Sequence, residues 1–178
     1  MAGTGRRDAC LILTHHAESD DFEACRKIAI FPKPGGASRL TMLTRTATGK
    51  LLMIDHISIG VRDISRAKQF YDVTLNALGY TCLSEAEDSL GYGRDTVALW
   101  VIAVDSPVPP AAGSGLHLCF AAPTRKDVDA FHMAAVGAGG YDNGKPGLRT
   151  DYGANYYTAY IVDPDGYRIE ALCGQAVS

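Results

Sequence analysis

The sequence predicts an α+β fold in which one strand–helix–strand unit is used twice, as a pseudo-symmetric pair. Three observations carry this. Residues 53–82 (MIDHISIGVRDISRAKQFYDVTLNALGYTC) and 114–143 (SGLHLCFAAPTRKDVDAFHMAAVGAGGYDN) align at one fixed offset. It sets His56 on His117, Phe70 on Phe131, Gly79 on Gly140 and Tyr80 on Tyr141. Both stretches open with a short run rich in Ile, Leu, Val and Phe between turn residues, the pattern of a buried strand. Both continue with apolar residues at helical spacing. Two copies so far apart read as a pair of units, not as a solenoid array.

The elements follow in order. IDHISIGV opens the first unit as a strand. Ile64, Ala67, Phe70, Tyr71, Leu75 and Leu78 then form one stripe of a helix, with Asp63 or Ser65 as its cap and Gly79 as its stop. Short strands are expected around 80–85 and 96–104. In the second unit GLHLCFAA is the strand, and Val128, Phe131, Ala135 and Ala138 make the helical stripe. Thr124 with Asp127 resembles a capping box, and Gly139–Gly140 ends the helix. Strands are expected around 155–162 and 167–173. The DPDG turn at 163–166 joins them, since Pro and Gly suit its second and fourth positions.

The chain has 178 residues, 47% hydrophobic and 21% charged, as in ordinary globular proteins. Its net charge of −3 argues against nucleic acid as a partner, because phosphate binding needs a basic surface. No apolar run approaches the roughly 18 residues of a membrane span. Five widely spaced cysteines without a C-x-x-C pair fit free thiols in a reducing cytoplasm. Residues 1–52 carry eight Lys+Arg against five Asp+Glu, whereas the remainder is acidic. This first stretch shows no sustained period and holds a Pro/Gly/Ser segment. It is expected to be a poorly ordered extension, with Met53 a candidate natural start and His15–His16 a surface pair. The domain proper is expected at 53–178, with modules at about 53–108 and 114–175.

Side chains alternate across a strand. In the first strand Ile57, Ile59 and Val61 share the face a helix would cover, and His56, Ser58 and Gly60 share the other. In its counterpart Leu116, Leu118 and Phe120 lie opposite His117, Cys119 and Ala121. In the last strand Arg168, Glu170 and Leu172 lie opposite Ile169, Ala171 and Cys173. Each unit therefore has an apolar back and a front suited to lining a cavity, and a pseudo-twofold between two such sheets is expected to bring His56 and His117 toward one another. Glu170 on such a strand is costly unless its charge is compensated. Two neutral imidazoles and an ionised carboxylate are what a divalent metal needs near neutral pH. Ser58, Trp100, Tyr156 and Tyr157 are candidates to shape the pocket. Arg149, in the loop NGKPGLRTDYGAN, is placed to hold a carboxylate or phosphonate. His132 reads as a surface or packing residue of the second helix.

IDHISIGVRD, GLHLCFAA and DPDGYRIEAL resemble the vicinal oxygen chelate superfamily, the glyoxalase/bleomycin resistance/dioxygenase proteins, over about residues 53–175. The resemblance implies paired βαβββ modules whose curved sheets form a cup around a metal. It implies His56, His117 and Glu170 as ligands of Mn, Fe, Ni or Zn, and a homodimer in which a site is either shared between chains or formed within one. It implies an enzyme related to lactoylglutathione lyase, acting on a small oxygen-rich substrate that chelates the metal. A further acidic ligand of glyoxalase I falls on TVALWVIA, which offers no carboxylate, so glyoxalase I chemistry is not implied. LWV and Ser58 resemble instead the fosfomycin-resistance thiol transferases, and extradiol dioxygenases use the same His, His, Glu set. The alternative is a metal-free antibiotic-binding protein of the bleomycin-resistance type.

Overall fold

The computed structural model describes residues 53–108 and 115–176. The expected extension at 1–52, with His15, His16, Cys10 and Cys25, lies outside the described residues. No helix among the described residues is long and apolar enough to cross a membrane.

Module one runs β1 (Ile57–Val61), α1 (Ile64–Asn76), β2 (Thr81–Glu85), β3 (Ser89–Gly93) and β4 (Val97–Ala103). Module two repeats it with β5 (Leu118–Ala121), α2 (Arg125–Gly137), β6 (Tyr141–Leu148), β7 (Tyr157–Val162) and β8 (Arg168–Cys173). Each module forms one four-stranded sheet, in the order β1-β4-β3-β2 and β5-β8-β7-β6. The first strand lies parallel to the last, and the other neighbours are antiparallel. This is the α+β, twofold βαβββ plan.

The helices start where the sequence places their caps. The Asp63 side chain accepts from Arg66 N, and Thr124 with Asp127 makes a complete capping box. Gly79 and Gly139 have positive φ, which lets the chain leave each helix at no steric cost. The apolar stripes face the core as expected, with Ile64 and Ala138 only partly buried against it. Ala67, Phe70, Tyr71, Leu75 and Leu78 from α1 and its end, and Val128, Phe131 and Ala135 from α2, join Ile59, Val61, Ile169, Ala171 and Cys173 in one core. Both modules thus turn their backs to the same core, and their fronts look away from it.

β3 and β6 are strands that the local pattern leaves as loops. SLGYG and YDNGKPGL are rich in Gly, Asn, Asp and Pro, residues depleted in strands. Pairing with a neighbour overrides that preference. β6 is an edge strand with register shifts about Gly144, where a proline and irregular pairing are tolerated. The supposed loop 143–155 therefore begins as a strand.

Two hydrogen bonds tie the modules at matching places. Tyr167 Oη donates to Gly60 O at 2.9 Å, and Tyr80 Oη donates to Ala121 O at 2.9 Å. Gly60 and Ala121 are repeat-equivalent positions of β1 and β5. The DPDG turn docks on α1 as well. Tyr71 Oη donates to Asp163 Oδ2 at 2.6 Å, both residues being buried, and Arg66 pairs with Asp165 at 2.7 Å. Gly140 is enclosed by Phe70, Ile161 and Ala135, so a methyl group there would meet all three at about 3 Å.

Candidate functional site

Register fixes what stands on the two fronts. Across module two, Cys119, Glu170 and Tyr160 are neighbours on β5, β8 and β7. Across module one, Ser58, Trp100 and Gly91 are neighbours on β1, β4 and β3. The two rows correspond one to one. Ser58 answers to Cys119, Trp100 to Glu170, and Gly91 to Tyr160. His56 and His117 each stand just before the first strand of their module.

Glu170 is 2% exposed, and polar groups gather on it. His117 Nε2 lies 3.1 Å from Oε2, with its own side chain half exposed. Tyr156 Oη donates to Oε1 at 2.9 Å, and Thr158 Oγ1 lies 2.7 Å from the same oxygen. Thr158 is fully buried, and its hydroxyl also lies 2.8 Å from Ala171 O. One hydroxyl carries one proton, and a carboxylate is the stronger acceptor. Loss of water, followed by the bond to Glu170, raises the Tyr156 phenol above its usual value, so it remains a donor at neutral pH. Cys119 is exposed as a residue, yet its sulfur sits against Glu170. Loss of solvent first, and the glutamate's charge second, push its thiol up to about 12, so it stays protonated.

Module one is built differently. His56 Nδ1 lies 2.7 Å from Asp55 Oδ1 near the surface. Trp100 occupies the counterpart of the glutamate position and leans over Gly91. A β-carbon added at Gly91 would stand 3.0 Å from the indole and 2.9 Å from Val97. Glycine makes room for the ring.

The structure brings His117, Glu170 and Tyr156 together, and sets Ser58 beside Trp100 on the other module. It does not bring His56 to the His117–Glu170 pair. Among the described residues no group of three or more His, Cys, Asp or Glu is placed to hold a metal. Tyr157 faces the helix side, because it shares a parity with Ala159 and Ile161. Its hydroxyl donates to Asp129 Oδ1 at 2.8 Å, and Arg125 lies over its ring. The Arg149 guanidinium donates to Lys145 O at 2.9 Å, and its charge is felt at Tyr157. Neither residue is part of the cluster about Glu170. His132 bonds Asp142 at 3.0 Å.

Sequence reasoning missed Thr158. The available signal was alternation in YTAYIV, where Thr158 and Tyr160 share the face opposite the core residues Ala159 and Ile161. The chemistry of the pair fits a divalent cation. An imidazole nitrogen and a carboxylate oxygen present themselves to one place, while the second carboxylate oxygen is held elsewhere.

The architecture is that of proteins built from paired βαβββ modules. The Glyoxalase/Bleomycin resistance protein/Dioxygenase superfamily model matches residues 53–171, and the chain belongs to that superfamily. The solved glyoxalase/bleomycin resistance protein from Albidiferax ferrireducens T118 is 33% identical. It covers 68% of this chain and 98% of that one, with a TM-score of 0.60. A glyoxalase-related enzyme from Fulvimarina pelagi is 20% identical, covering 68% and 88% with a TM-score of 0.55. A glyoxalase I mutant from Zea mays is 19% identical, covering 67% of this chain and 45% of that one, with a TM-score of 0.50. The last two likenesses speak for the fold alone. No curated protein matches the chain.

Proposed function

We propose that this chain is a divalent-metal-dependent enzyme whose site is shared between two copies. His117 and Glu170 of one copy hold the cation together with His56 of the other, and a small substrate with two neighbouring oxygens binds beside them. The observation that carries the reading is the His117–Glu170 pair. It is two thirds of a ligand set on an outward-looking face, with the third histidine on the other outward face. A bound cation would act as a Lewis acid toward the substrate oxygens. The chain's own residues do the rest. Tyr156 and Thr158 hold the carboxylate, while Ser58 and Trp100 bound the partner half of the pocket. Trp100 in the place of a second glutamate leaves three protein donors. That keeps positions open for a chelating substrate and removes the carboxylate base of a four-ligand site.

Metal content after mild dialysis tests the first half of this reading. One ion per site, lost in Glu170→Ala, is the expected result. No ion, with ligand binding unchanged in His56→Ala, would support the metal-free binding protein instead. Mixing His56→Ala chains with Glu170→Ala chains tests the sharing. Each mixed dimer regains one intact site, so about a quarter of the wild-type sites should return after random exchange. No recovery on mixing overturns the shared site.

A further inference from the structure

We propose that Tyr156 and Thr158 are positioning residues that make Glu170 a one-oxygen metal ligand. This rests on the metal reading above and adds to it a role for two residues outside the ligand set. Glu170 Oε1 is engaged twice, by Tyr156 Oη at 2.9 Å and by Thr158 Oγ1 at 2.7 Å. Oε2 lies 3.1 Å from His117 Nε2, with the Cys119 thiol and the Tyr160 hydroxyl also close to the carboxylate. The two oxygens of one carboxylate are thus sorted. One is tied into the sheet, and the other is turned to the imidazole that would ligate with it.

The means of sorting are rigid. Thr158 is fully buried in β7, on the strand paired with β8, and its hydroxyl is pinned between Oε1 and Ala171 O. Tyr156 comes from the turn leading into β7, and its ring packs edge-on against Tyr152 with centroids 5.4 Å apart. A carboxylate free to rotate could offer both oxygens to a cation and fill one more coordination position. Holding Oε1 back denies it that position, and keeps a place for the substrate's second oxygen. Outer partners of this kind fix ligand orientation and govern affinity in metal sites generally. Module one has no such device, since its equivalent position is Trp100 and needs no carboxylate held.

The test is Mn²⁺ binding to the full chain, by titration calorimetry and by the electron paramagnetic resonance of the bound ion. Thr158→Val should weaken Mn²⁺ by about 10- to 100-fold, Thr158→Ser should restore it, and Tyr156→Phe should weaken it by about tenfold. The spectrum of any Mn²⁺ bound to Thr158→Val should differ from wild type, as the second oxygen swings in. The melting temperature of each metal-free variant separates loss of the clamp from loss of the fold. Tyr156→Phe keeps the idea exposed should Thr158→Val fail to fold, because the Tyr156 hydroxyl reaches the carboxylate from outside the core. Wild-type affinity and spectrum in both Thr158→Val and Tyr156→Phe would overturn the clamp while leaving the metal site standing. Failure of the wild-type chain to bind Mn²⁺ would overturn both.

Discussion

The two fronts are built on one backbone plan and have opposite chemistry. At equivalent registers module two has Cys119, Glu170 and Tyr160, whereas module one has Ser58, Trp100 and Gly91. One front concentrates polar hydrogens on a single carboxylate. The other sets a wide ring over a glycine. One scaffold occurs twice in the chain, and a few front-face residues give its two copies different chemistry. Only the opening histidines remain alike, and they differ in partners, Asp55 for His56 and Glu170 for His117.

The largest effect should come from exchanging the central residues. Glu170→Ala should cost at least the roughly 100-fold in metal affinity that loss of an outer partner can cause. Trp100→Phe should leave affinity unchanged, as it removes no donor. Trp100 is the only tryptophan, so its fluorescence reports module one alone. Bound Co²⁺ should quench it in the wild type and leave it bright in Glu170→Ala. Quenching that survives in Glu170→Ala would place the ion nearer module one and break the comparison.

A smaller effect is expected at the turns. The turn of module two holds a buried carboxylate, Asp163, which accepts from Tyr71 Oη and from the Asp165 and Tyr167 amides. Tyr71→Phe leaves it short of one donor and should cost about 2 kcal/mol by urea unfolding. Burial lifts the Asp163 carboxyl above its usual value, and the Tyr71 bond offsets part of that. The folded chain then holds this proton more tightly than the unfolded chain. The contribution of Asp163 to stability therefore falls as pH rises from the ordinary carboxylate value through the raised one. Tyr71→Phe raises the carboxyl further, so its cost should be greater at pH 7 than at pH 4. An equal cost at both would show that Asp163 does not titrate in that window.

The smallest effects sharpen the symmetry itself. Tyr167→Phe and Tyr80→Phe each delete one bond to a carbonyl of the opposite module's first strand. Each should cost about 0.5–1.5 kcal/mol in thermal or urea unfolding, Tyr167 the more because it is 4% exposed. A reversed order would mean that burial does not set the worth of these two bonds.

Much of this was legible in the chain because burial writes periods. The stripes of α1 and α2, the two capped starts and the parity of β1, β5 and β8 follow from alternation or helical spacing, except that Ile57 and Leu116, expected on the helix-covered face, stay exposed at or just before the start of their strands. β3 and β6 were not legible, since their glycines, proline and polar residues are strand-like only once a neighbour supplies the ladder. Residue type alone points Tyr157 at the pocket. Parity against Ala159 and Ile161 turns it to the helix. Thr158 lay hidden for the converse reason. A threonine in a strand is unremarked until the register shows which carboxylate it sits beside. The separation of His56 from His117 depends on helices α1 and α2 sharing one core, a fact of tertiary packing that no local pattern carries.

The paired bonds from Tyr80 and Tyr167 bear on how a reactant gets in and out. Each first strand, with its histidine at the mouth, is tethered by the opposite half of the same chain. Two such bonds over one shared core keep the two fronts of the chain in one fixed relation. In the shared site proposed above, a reactant would therefore enter where the two copies part rather than by the halves of one chain moving apart.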